Sequence, residues 1–300
     1  MRTRVHSLSF LGVAAITALV VCGCCKKGAD SGNEGGITEK TDQVEDVKVG
    51  DEVVVESGKA SFWKGKITKV EGTKVTYEYG SNKSTETVDK GDVYVVGKAD
   101  HKGIEKPGDY VICRTSTSYY GACVVKSVTG SVYVCEDSSG SSHNLSAADV
   151  ILPKPATQAN IKDRIDKETK HRNFLAAAKA AGKPAKPAGW KPRAGADVVA
   201  LFAGSTWYGA KVTKVAGNKA TVQWDDKTSP SDRNFDEVAP KPTGAQKVAA
   251  GQYVILRPTG SSGRWEFAKV DKVDGTSVVV LDQDDKSKTV NNKDLSPIVP

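Results

Sequence analysis

Aromatic residues are scarce in this 300-residue chain, at 7% of the total. Scarcity of that kind argues against one large core and for several small ones. Histidine is rarer still, with 4 in all, and His101, His143 and His171 are scattered; no close Cys pair stands in the body of the chain. No metal site and no cofactor are therefore expected. There is also no Ser-His-Asp spacing, no pair of catalytic carboxylates, no phosphate-cradling glycine loop and no zinc motif. The chain is not expected to be an enzyme, and no catalytic residue is assigned. The conspicuous apolar run, Leu8 to Val21, has fourteen residues, too few to cross a bilayer comfortably.

What is present begins with charge. The formal net charge is +7, yet the stretch from Lys154 to Arg193 holds eleven Lys/Arg against three Asp/Glu, and the remainder is close to neutral. A diffuse nucleic-acid-binding surface does not fit that distribution. A basic segment can meet anionic lipid headgroups, lipopolysaccharide or teichoic acid, or simply keep an exposed helix soluble.

At the N-terminus Arg2 and Arg4 precede the apolar run, which ends in Val21-Cys22-Gly23-Cys24. A positive start, a short apolar stretch and small residues form a secretory signal. The ending resembles the lipobox of bacterial lipoproteins. Cleavage is expected before Cys24, because Gly23 supplies the small residue required there, whereas cleavage before Cys22 would follow bulky Val21. The resemblance implies lipidation of Cys24, by diacylglycerol and often a further acyl chain, and a stable membrane anchor. Residues 1–23 then form the signal peptide and 24–47 a flexible, Gly-rich tether. Cys25 stands where inner-membrane retention calls for Asp, which favours an outer membrane if the envelope has one.

Internal repetition organises the rest. Four segments open on Gly and an apolar run: Gly50-DEVVVE, Gly108-DYVICR, Gly195-ADVVAL and Gly251-QYVILR. Each continues through a loop to an aromatic and a second strand (FWKGKITKV, YYGACVVKSV, WYGAKVTKV, WEFAKVDKV), a Gly turn, a third strand and a closing acid–apolar pair. Short strands with frequent turn signals predict a small antiparallel barrel for each. The expected class is all-β, with four five-stranded SH3-like barrels at 48–98, 106–153, 194–241 and 248–300. Units of this size sit near the lower limit for independent folding, so packing in pairs would help. The starts lie 58, 87 and 56 residues apart, which groups the repeats in two pairs. Between the pairs, Thr157 to Ala181 reads as a helix, with Ile161 and Ile165 at i,i+4 and Gly182 at its end. A Pro/Lys/Ala linker follows, so that 154–193 is one basic connecting segment.

The pattern G-x-x-V-x-A, loop, W-Y-x-A-x-V, turn, V-x-W-x-D is fullest in repeat 3 (Gly195, Val198, Ala200, Trp207, Tyr208, Ala210, Val212, Val222, Trp224, Asp226). It resembles Tudor and Agenet domains. That resemblance implies SH3-like barrels whose open end carries an aromatic cage for methylated lysine or arginine of partner proteins.

Four copies in one chain permit an internal test: a residue type shared by all is demanded by the fold, and one that varies is available for a task. Phe62, Tyr119, Trp207 and Trp265 are read as equivalent, an aromatic ring that either lids the core or joins a pocket. The next position holds Trp63, Tyr120, Tyr208 and Glu266. Later in each repeat Tyr79 and Trp224 stand where repeats 2 and 4 have Glu136 and Asp282. Candidate aromatic pockets for a cationic group are thus Phe62, Trp63 and Tyr79 in repeat 1, and Trp207, Tyr208 and Trp224, with Asp226 adding negative charge, in repeat 3.

An exported chain meets oxidising conditions. Cys123 and Cys135, given the same outward parity on neighbouring strands, are the expected disulfide, and Cys113 a buried thiol. The expected function is a lipid-anchored envelope protein that binds a protein, a peptide or a cell-wall component. The alternative is a purely structural, peptidoglycan-associated spacer without a pocket.

Overall fold

The computed structural model describes residues 47–97, 106–204, 206–259 and 263–300, all within one compact unit, Asp42–Pro300. The signal segment, Cys24, Cys25 and most of the tether lie outside the described residues. No described helix is long and apolar enough to cross a membrane.

The described chain is nearly all β. Repeat 1 comprises Glu52–Gly58, Ser61–Glu71, Lys74–Tyr79, Ser84–Asp89 and Val93–Val95. Repeat 2 comprises Tyr110–Ser116, Tyr119–Thr129, Val132–Asp137, Ser142–Ser146 and Val150–Ile151. Repeat 3 follows with Asp197–Ala203, Thr206–Ala216, Lys219–Trp224, Ser231–Asn234 and Val238–Pro240, and repeat 4 with Tyr253–Leu256, Arg264–Asp274, Ser277–Leu281, Ser287–Asn291 and Leu295–Val299. In every repeat the antiparallel order is fourth–third–second–first–fifth, and one 3-10 turn leads into the fifth strand.

Local chemistry repeats with the strands. Gly72, Gly130, Gly217 and Gly275 each have φ between 55° and 60° at the first place of a two-residue hairpin turn, where an L side chain is disfavoured. The opening glycines donate from N–H to the second strand: Gly50 to Ile67 O, Gly108 to Val125 O, Gly195 to Val212 O and Gly251 to Val270 O, at 2.8–2.9 Å. Each second strand then bulges, between Ile67 and Lys69, Val125 and Ser127, Val212 and Lys214, and Val270 and Lys272. One face of the sheet covers a core in each repeat. In repeat 4 that core is Val254, Leu256, Ala268, Val270, Val278, Val280 and Leu295, with Val290 beside it, so all five strands contribute.

These ladders correct the alignment of repeat 2. Val53 pairs with Gly65, Val111 with Cys123, Val198 with Ala210 and Val254 with Ala268. Cys123, not Ala122, is therefore the inward residue. The likeness of YYGA to WYGA displaced the reading by one residue, and in a strand one residue exchanges the two faces. The four equivalent aromatics are Phe62, Tyr120, Trp207 and Trp265, and Tyr119 is exposed.

The disulfide changes with the register. Cys113 and Cys123 are bonded, with Cα atoms 5.9 Å apart, and the expected Cys123–Cys135 bridge does not form. Cys113 lies opposite Gly121, diagonal to Cys123, and both point into the core that also buries Cys135. Burial pushes the Cys135 thiol up to about 11, which leaves it neutral and unreactive near pH 7.

Each first strand buries apolar residues on both faces, and its outer face, with the aromatic near the start of the second strand, joins the repeats. Val54, Ala60 and Phe62 of repeat 1 meet Ile112, Tyr120, Ala122 and Val124 of repeat 2, with Ile161 and Ile165 completing the cluster. Val199, Trp207 and Ala239 of repeat 3 meet Ile255, Trp265 and Ile298 of repeat 4. In that second pair the second strands also hydrogen-bond, Trp207 opposite Trp265 and Tyr208 opposite Arg264, and one sheet runs through both repeats.

The helix, Pro155–Ala180, opens with Pro at a position that needs no N–H donor. It is a packed element rather than a solvated spacer: Thr157, Ile161 and Ile165 form a buried stripe. Lys162 and Lys167 pair within the helix, with Asp166 and Asp163, but other basic residues of the segment find partners on the repeats. Lys154 pairs with Asp92, Arg164 donates to Ala60 O and Arg172 to Ser138 O, while Lys170 pairs with Asp285. Phe174 meets Tyr253 edge-on at 5.5 Å. At the helix end Gly182 has φ 124°, and a Cβ there would strike Val299 O. Glycine lets Lys183–Pro184 pair with the last strand of repeat 4.

Candidate binding site

The structure separates the two tryptophans of repeat 3. Trp207, 5% exposed, belongs to the joint with repeat 4; Phe62 has the same place between repeats 1 and 2. Neither lines an aromatic pocket. Their shared aromatic character is explained by pairing of the repeats, not by a lid over one core.

Trp224 ends the third strand and turns the other way. Its ring meets Phe202 at 5.1 Å and 75°, and Tyr208 at 6.3 Å and 80°; Phe202 and Tyr208 lie 5.4 Å apart. Both contacts to Trp224 are edge-to-face, a favourable aromatic packing, and Phe202 is tilted against Tyr208. Trp224 is 2% exposed and Phe202 43% exposed, so the cluster has a buried floor and an open rim. The Trp224 indole N–H donates to Ser231 Oγ at 3.1 Å.

A guanidinium already occupies this cluster's flank. Arg233 Cζ stands 5.2 Å from the Trp224 ring. Its Nε donates to Leu201 O at 2.6 Å, Nη2 to Phe202 O at 3.0 Å and Nη1 to Asp232 O at 2.7 Å. Arg233 lies opposite Ala220, the place held in the other repeats by Val88, Leu145 and Val290.

The acidic residues serve the loop. Asp226 Oδ1 accepts the Thr228 N–H at 2.9 Å, and Thr228's hydrogen bonds hold the Asp226 carboxyl below the usual carboxylate range. Asp225 pairs with Lys241 at 2.8 Å. In repeats 2 and 4 the position of Trp224 is taken by Asp137, not Glu136, and by Asp282. Asp137 Oδ1 accepts the N–H groups of Ser139 and Ser141, and Asp282 Oδ1 those of Asp284 and Lys286, at 2.8–3.0 Å. The same site is thus an aromatic floor in odd repeats and a turn-closing carboxylate in even ones.

Repeat 1 carries a smaller version. Trp63, 42% exposed, tilts at 5.6 Å over Tyr79, which stacks on Tyr77 at 5.3 Å. Tyr77 is buried, and its hydroxyl donates to Glu86 Oε2 at 2.8 Å. Burial, and then the Glu86 bond and charge, push its ionisation well above the ordinary tyrosine value. Sequence reasoning missed Phe202, Arg233 and Tyr77. Arg233 was detectable as the one cation in a column of aliphatics, once the register is right.

Residues 43–127 match the family model of a domain of unknown function, DUF7205. No curated protein matches the chain. Among solved structures, the AGDP1 AGD34 fragment of Arabidopsis thaliana is similar at 16% identity, TM-score 0.27, over 42% of this chain and 88% of that one. Tandem Agenet domain 3-4 of ADCP1 is similar at 16% identity, TM-score 0.26, over 43% and 95%. Four MBT repeats of Drosophila melanogaster Sfmbt, solved in complex with the peptide RHR(me)K VLR, are similar at 12% identity, TM-score 0.16, over 84% and 88%.

Proposed function

We propose that this protein is a lipid-anchored envelope binding module, and that the aromatic cluster of repeat 3 receives a cationic, weakly hydrated group of a peptide or another envelope component. One observation carries the reading. Phe202, Tyr208 and Trp224 come together in repeat 3, whereas their positions hold Thr115, Gly121 and Asp137 in repeat 2 and Pro258, Glu266 and Asp282 in repeat 4. Two repeats with the same strand order manage without those rings, so the fold does not demand them. An exposed aromatic face attracts a cation by about 0.5–2 kcal/mol per ring, best where hydration is weak. The anchor rests on the Val21-Cys22-Gly23-Cys24 ending, and an outer-membrane location on the residue after it.

A titration with free trimethyl-lysine and with lysine tests the pocket, read on the Trp224 indole N–H resonance. A saturable shift for trimethyl-lysine, at least tenfold stronger than for lysine and lost in a Phe202→Ala, Tyr208→Ala variant, is expected. Equal response to both ligands would sink the idea. The anchor is tested apart from this: Cys24→Ser should abolish palmitate labelling and membrane retention, and unchanged labelling would refute it. The structural-spacer reading draws on Arg233, which already satisfies one flank of Trp224. It predicts no saturable shift with either ligand.

A further inference from the structure

Arg233 shows what the groove between the end of the first strand and the fourth strand can hold. In repeat 3 its guanidinium fills that groove, donating to the carbonyls of Leu201 and Phe202. The ladders place Glu56 and Ser57 of repeat 1 where Leu201 and Phe202 stand, and Val88 where Arg233 stands. There the groove is an open cleft of about 400 Å³, lined by Glu56, Ser57, Gly58, Val88, Asp92 and Lys154 among others. Valine is too short to reach the carbonyls that arginine bridges in repeat 3.

We infer that the cleft of repeat 1 is a binding site for an arginine side chain supplied by a partner polypeptide. The Glu56 and Asp92 carboxylates against the single Lys154 ammonium leave it with a negative balance. Glu56 is held in place by the Ala60 N–H at 3.0 Å, the Asn160 amide at 3.2 Å and the Thr157 hydroxyl at 2.7 Å. Those three bonds leave capacity on a carboxylate that can accept about four. Two neighbouring carbonyls beside a carboxylate suit the planar fork of a guanidinium better than the point charge of an ammonium. Repeat 2 supplies the contrast. Its equivalent cleft, about 430 Å³, is lined by Arg114, Thr115, Ser116 and Leu145. Arg114 stands at the Glu56 position and is paired with Asp149 at 3.1 Å, and no carboxylate lines this cleft, so it lacks the negative charge of repeat 1.

This site differs from the aromatic cluster in repeat, residues and preference. Methylation improves a cationic guest for aromatic rings, but it removes the N–H donors that the carbonyls of repeat 1 require. The test uses the full chain and three acetylated, amidated tripeptides: Gly-Arg-Gly, the same with citrulline, and the same with dimethylated arginine. Amide shifts at Glu56, Ser57 and Val88 should saturate with the arginine peptide and be at least tenfold weaker with the other two. Val88→Arg, which copies repeat 3, should abolish those shifts by filling the cleft from within. Equal binding of the citrulline peptide, or arginine binding that survives in a folded Val88→Arg protein, overturns the assignment, as does no response to arginine at millimolar concentration. Should Val88→Arg fail to fold, the citrulline comparison on the unsubstituted chain decides alone. Loss of trimethyl-lysine binding at Trp224 would leave this result untouched, so the two sites fail separately.

Discussion

Trp207 and Trp224 belong to one repeat, seventeen positions apart, yet they serve different neighbours. Trp207 faces outward from its own core and packs on Trp265 of the next repeat. Trp224 lies at the mouth of its own core, under Phe202 and Tyr208 and beside Arg233. The outer face of the second strand is aromatic in all four copies; the mouth is aromatic in two and acidic in two. Association of repeats constrains the first position, while the second can vary because a turn-closing Asp satisfies the backbone equally well.

The largest effect should come from the joint. Trp207→Ala is expected to cost about 3–5 kcal/mol, since it empties a buried volume shared by two repeats. Chemical denaturation would show it, and a loss below about 1 kcal/mol would mean that the joint contributes little. Next comes the interior of repeat 2, which has no aromatic mouth. Cys113→Ser opens a disulfide spanning 10 residues and should cost about 3 kcal/mol. Tenfold or greater loss of trimethyl-lysine binding in that variant would erase the distinction drawn between the repeats. At the rim, Phe202→Ala should cost less than about 1 kcal/mol, given its exposure, while weakening trimethyl-lysine binding.

The smallest effect is a pH dependence at Asp137. Burial alone would raise its pKa, but hydrogen bonds from the Ser139 hydroxyl, the His143 ring and the N–H groups of Ser141 and Ser139 outweigh it and lower the value. A carboxyl with a depressed folded-state pKa adds stability above its unfolded value, about 4, and loses that contribution as pH falls through the folded value. Asp137→Asn should therefore flatten the acid limb of the stability curve slightly, by at most about 1 kcal/mol. An unchanged acid limb would show that these bonds persist when the group is protonated.

Much of the strand content was legible in the residues. Alternating Val positions, the four turn glycines and the Ile161/Ile165 spacing each reflect a local requirement that the chain states in its own order. Repeat 2 shows where that legibility stops. YYGA and WYGA look alike, but strand faces follow hydrogen-bond register, and the twelve-residue interval from Val111 to Cys123 was the better guide. The disulfide error followed from that one residue. Phe202 and Arg233 were missed because they occupy the first and fourth strands, and only folding brings those strand segments together beside Trp224.

Sequence alone determined the four-copy pattern, the strand and turn chemistry, and the concentration of basic charge in one segment, because each depends on near neighbours along the chain. Tertiary structure decided which aromatics join repeats and which line a mouth, which cysteines meet, and that Lys154, Lys170 and Arg172 bind the connecting segment to the repeats. Those outcomes depend on both faces of a strand being buried. When inner and outer faces are equally apolar, composition cannot say which core a side chain enters, and only the register of the neighbouring strand can.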